Sequence, residues 1–160
     1  MDLLEGFFGV LADHEQRGES EQVEHLSSIG DADIATARAF YARNHVTSGM
    51  SEFLRGALKR LAGQSQQAVF ELRQAMGGGK THNMIALGLL ARFPELKDQL
   101  PDAITAGMSD EPAVIATVNG RDVRNFIWGD IAEQLGRAEE FRDHWVNGPK
   151  EMSEGDWTRM

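Results

Sequence analysis

Apolar residues recur at helical spacing through the first 63 positions. Leu3, Leu4, Phe7, Phe8 and Leu11 predict an amphipathic helix over residues 2 to 17. A weaker helix is expected over 20 to 28. Asp31 is the expected N-cap of a third, which runs through Ile34, Ala37, Arg38 and Tyr41. The strongest period follows a cap at Thr47 or Ser48. Met50, Phe53, Leu54, Ala57, Leu58 and Leu61 fall on one helical face, and Gly63 supplies the stop.

The pattern changes at Gln67. Ala68 to Leu72 reads as a short strand, followed by Gly77-Gly78-Gly79 and a helix from Lys80 or Thr81 to Arg92. That helix is apolar on most sides, which predicts packing against a sheet. Gly88 inside it costs about 1 kcal/mol of helix propensity relative to Ala, a cost that close approach to a strand explains. Phe93-Pro94 ends the helix. Residues 95 to 112 read as mostly loop and Ala113 to Val118 as a second strand. Phe126 to Leu135 reads as a helix stopped by Gly136, and Ala138 to Val146 as a further short one. The expected class is α/β: a helical region over 1–63, then over 64–160 the start of a P-loop NTPase parallel sheet with flanking helices, incomplete in itself.

The chain has 160 residues, no cysteine and a formal net charge of −9. A disulfide framework, a thiolate metal site and a cysteine nucleophile are thereby excluded. The acidic balance argues against non-specific nucleic-acid binding, which draws its affinity from Lys and Arg on phosphates. Arg55, Lys59 and Arg60 form the nearest approach to a basic patch and read as a solvated helix face. No apolar run reaches the roughly 18 residues of a membrane span. Acidic residues precede the first basic one, Arg17, which is the wrong charge for a leader, so the expected location is the cytoplasm. The five histidines form no metal-binding spacing, and no nucleophile elbow occurs.

Gln74-Ala75-Met76-Gly77-Gly78-Gly79-Lys80-Thr81 carries the chemistry. A phosphate loop needs consecutive amides turned into one concavity, and glycine permits that backbone. A helix must begin at once, so that its unpaired N–H groups face the anion. A lysine then reaches the β- and γ-phosphates, and a hydroxyl binds Mg²⁺. Met76, Gly77, Gly78, Gly79, Lys80, Thr81 and His82 are therefore the candidate nucleotide-binding residues, with Thr81 as the Mg²⁺ ligand. His82 is expected to pack against the neighbouring strand. Gln74 stands where the usual pattern has its first glycine, and Val114 to Val118 ends in Asn119 rather than an acid. No residue of the chain is assigned to the hydrolytic step.

Thr47 to Leu61, Val69 to Leu72 and Gly77-Gly78-Gly79-Lys80-Thr81-His82 together resemble the start of the large prokaryotic AAA-type ATPases of the domain of unknown function 499 family. Val118-Asn119-Gly120 and Trp128 to Gly136 resemble that family's next strand and helix. The resemblance implies an AAA-type fold, binding of ATP and Mg²⁺, and a place in systems that defend prokaryotes against phage. It implies a longer protein, an acidic strand beyond this chain, and an ATPase active only as that whole. It also implies self-association or other subunits of a defence complex, nucleic acid reached only through the full protein, and a base contact at Asn44 to Thr47. Two alternatives remain on the sequence: a complete small phosphotransferase, and a non-catalytic scaffold with a degenerate loop.

Overall fold

The computed structural model describes residues 25–73, 79–120, 123–147 and 150–160. The expected helix over 2 to 17 lies outside them, as does most of the one over 20 to 28. From that second helix a single 3-10 turn, Leu26–Ile29, is described.

Three longer helices build the main core. The first, α1, spans Ile34–Arg43, and its cap is Asp33, not Asp31: the Asp33 carboxylate accepts from the Thr36 amide at 2.8 Å. The hydrogen bonds to Thr36 also hold that carboxyl below its usual range. The second, α2, spans Ser48–Leu61 and is capped by the Thr47 hydroxyl, which accepts from the Met50 amide at 3.3 Å. At its other end Gly63 adopts φ +71°, and the amides of Gly63 and Gln64 return to the carbonyls of Arg60 and Lys59. Both hydrogen bonds of a Schellman stop are thus made. The third, α3, spans Lys80–Arg92.

Met50, Phe53, Leu54, Ala57 and Leu58 of α2 pack with Ala37, Phe40 and Tyr41 of α1 and with Ile85, Leu87, Leu89 and Leu90 of α3. Residues on both sides of position 63 thus share one cluster. The stretch expected as loop closes this cluster with a 3-10 helix, Pro94–Gln99, and a short helix α4, Asp102–Thr105, through Leu96, Leu100 and Ile104. Two side chains tie the pieces together. Arg38 Nη1 donates to both carboxylate oxygens of Asp98, at 3.0 and 3.1 Å, and the Arg92 guanidinium donates to the carbonyls of Ile29 and Gly30.

A second cluster gathers around Ile131, Ala132 and Phe141. It is built by α5 (Phe126–Gln134), α6 (Ala138–Phe141), a 3-10 turn Arg142–His144, and α7 (Glu154–Arg159). A capping box between Ser153 and Asp156 starts α7.

The expected parallel sheet is corrected by this structure: among the described residues no strand forms. The alternation that predicted one is nevertheless present at Ala68 to Arg73. Phe70 and Leu72 face the main core, while Val69, Glu71 and Arg73 face outward. What lies beneath them is helix α2 rather than another strand. Phe70 meets Phe53 edge-on, with 6.0 Å between ring centroids, and passes over Gly56. The second expected strand has its main-chain groups claimed elsewhere. The Ala113 amide bonds the Ala91 carbonyl, and the Gln134 side chain takes both the amide and the carbonyl of Thr117. Strand propensity needs a partner about 5 Å away to become a ladder, and helices occupy that place here.

The same correction reaches Gly88. Its close neighbour is Ile29 of the 3-10 turn, not a strand: an added Cβ would stand 2.8 Å from Ile29 Cδ1.

Candidate functional site

The candidate loop enters α3 at Gly79. This residue adopts φ +78°, ψ +19°, the left-handed conformation that glycine takes without strain. Among the described residues, its chain neighbours aside, no atom lies within 4 Å of where its Cβ would be, so what they ask of Gly79 is conformational, not spatial. As N-cap, Gly79 offers no side chain to the first turn, whereas α1 and α2 are capped by Asp33 and Thr47. The Asn83 amide closes that turn on the Gly79 carbonyl at 2.9 Å.

Lys80 and Thr81 follow as the first two helical residues, both partly exposed. Met76, Gly77 and Gly78 lie outside the described residues. The N-terminal end of this 13-residue helix carries partial positive charge. The Lys80 ammonium and the Thr81 hydroxyl belong to its first turn.

His82 stands one residue further on. It packs on α1 rather than on a strand, its ring 4.8 Å from that of Phe40 and tilted by 33°. Partial burial pushes its pKa down from the ordinary 6.5, so the imidazole is neutral at pH 7. Asn83, next in the helix, is 7 % exposed and one of two buried polar residues among those described. Phe40 and Asn83 carry no local sequence signal for this position. Phe40 is one apolar residue in a helical period, and only the fold brings it to His82.

The segment Asn44 to Thr47 joins α1 to α2. Asn44 closes α1 by donating from its side chain to the Phe40 carbonyl at 2.7 Å, and Thr47 caps α2. Among the described residues no three His, Asp or Glu converge as a metal-binding group, and no helix is long and apolar enough to cross a membrane.

Residues 30–104 match the DUF499 N-terminal domain. The DUF499 match covers a little under half of the chain and takes in α1, α2, the glycine segment and α3. It stops before Val118-Asn119-Gly120 and the Trp128 to Gly136 helix, which the sequence resemblance had included. The DUF499-matched residues supply all of the buried main core but Ile29, and the second cluster lies beyond them. No curated protein and no solved structure matches the chain.

Proposed function

We propose that this chain binds the phosphates of ATP with Mg²⁺ through Met76 to Thr81. Gly77, Gly78 and Gly79 supply main-chain amides, Lys80 neutralises the β- and γ-phosphates, and Thr81 holds the cation. The observation that carries this reading is Gly79. Its left-handed backbone opens α3 without a side-chain cap, directly before Lys80 and Thr81. The DUF499 match includes the motif. Turnover requires in addition a carboxylate that orients water near Mg²⁺. In this reading that group comes from a longer protein, as does a role in phage defence, which rests on the family resemblance alone.

The test is a titration with Mg-ATP, ADP and AMP. A loop that grips the phosphate chain binds them in the order ATP, ADP, AMP. Equal binding of all three would locate recognition at the base or sugar instead.

A second reading is favoured by the run of Ala68 to Arg73 along α2. There the segment serves as a helical scaffold, and the glycine loop holds no ligand. Absence of binding to any of the three nucleotides is its expected result.

A further inference from the structure

The chain on both sides of the glycine segment is held on the same pair of helices. Before it, Phe70 meets Phe53 of α2 edge-on, and a Cβ on Gly56 would stand 3.0 Å from the Phe70 ring. After it, His82 lies against Phe40 of α1 at 4.8 Å. Phe40 and Phe53 are themselves buried, at 4 % and 8 % exposure, so both anchors belong to the main core.

His82 and Lys80 do not share a face of α3. Two residues turn a helix by about 200°, so the side that presents Lys80 to a ligand turns His82 away from it. The imidazole is neutral, partly desolvated and already faced by an aromatic ring. Those features suit packing rather than a contact with phosphate.

We propose that His82 and Phe70 are positioning residues, which fix the two ends of the glycine segment on α1 and α2. For its consequence on nucleotide affinity this inference rests on the proposed function. For its effect on the first turn of α3 it does not.

Four variants test it: His82→Ala, His82→Phe, Phe70→Ala and Lys80→Ala. Amide hydrogen exchange in the first turn of α3, including the Asn83 amide, is read without ligand. Affinity for Mg-ATP is read by calorimetry. An aromatic contact of this kind is worth about fivefold in an equilibrium. The His82→Ala variant is expected to exchange about fivefold faster there and to bind Mg-ATP about fivefold more weakly. The His82→Phe variant, which keeps a flat ring on Phe40, restores both. The Phe70→Ala variant weakens Mg-ATP binding while Lys80 is unchanged.

Equal losses in His82→Ala and His82→Phe would overturn the inference, because the imidazole itself would then be in use. Unchanged exchange in His82→Ala would overturn it as well. Were wild type and Lys80→Ala alike to bind no nucleotide, the proposed function would fail, and the exchange comparison would still decide the positioning role.

Discussion

Tyr41 donates a hydrogen bond to the main-chain oxygen of Ala86, 2.6 Å away, across the buried contact of α1 with α3. Burial pushes the phenol above its ordinary pKa, so the group is a donor at neutral pH. This bond sits one helical turn beyond His82 and fixes α3 against α1 on the side that Phe40 begins. Replacing Tyr41 by Phe removes the bond and keeps the ring. The expected cost is about 1 kcal/mol, read from denaturant midpoints at unchanged slope.

Gly88→Ala sets two effects against each other. Alanine gains about 1 kcal/mol in helix propensity. The new Cβ, however, would stand 2.8 Å from Ile29 Cδ1 and 3.2 Å from its Cγ2, and Ile29 is only 1 % exposed. Overpacking at such a site costs about 1–3 kcal/mol. The variant is therefore expected to be less stable than wild type. Adding Ile29→Val removes the nearer atom and recovers part of the loss, a coupling that a double-mutant cycle measures.

Gln134 acts as the strand neighbour that residues 113 to 118 lack. Its Oε1 accepts from the Thr117 amide at 2.9 Å, and its Nε2 donates to the Thr117 carbonyl at 2.7 Å. Gln134→Leu removes both. Because the pair is exposed, the expected loss is about 1 kcal/mol, with faster hydrogen exchange at the Thr117 amide as its local signature.

Stability should fall with acid in two separate windows. Burial lowers the His82 pKa below 6.5 in the folded protein, so the unfolded chain takes up the proton first. The stability from neutral His82 is complete above about pH 6.5 and is lost as pH falls through the lower folded value. The Asp156 carboxyl is held low by the Ser153 hydroxyl and amide, with Arg159 adding to the effect. Its contribution is present above the ordinary 3.8 and is lost as pH falls below that. The His82→Phe variant should flatten the upper window alone, and Ser153→Ala should shrink the lower one, which Asp33 shares, in denaturation midpoints followed against pH.

Helix α2 was legible in the sequence because its signals are local. Five of its apolar positions are buried as the period requires, and Thr47 caps it. The bounds of α3 followed from the glycines before Lys80 and from Phe93-Pro94 after Arg92. The strands were misread for a physical reason. Alternation at Ala68 to Arg73 reports that one face is covered, not what covers it, and here the cover is α2. Gly88 was rightly read as a place of close approach, but its neighbour is Ile29, far back in the chain. The cap of α1 moved from Asp31 to Asp33 because either acid precedes the helical period, and only the start at Ile34 chooses between them. The contact of His82 with Phe40 is tertiary and leaves no pattern in the chain.

Calorimetric titration of Mg-ATP into wild type and Lys80→Ala tests the central claim most directly. Loss of one ammonium contact to a phosphate, about 1.5–3 kcal/mol for a charged hydrogen bond, predicts at least tenfold weaker binding by the variant. Equal heats and equal affinity in the two proteins, with the fold intact in both, would contradict the account.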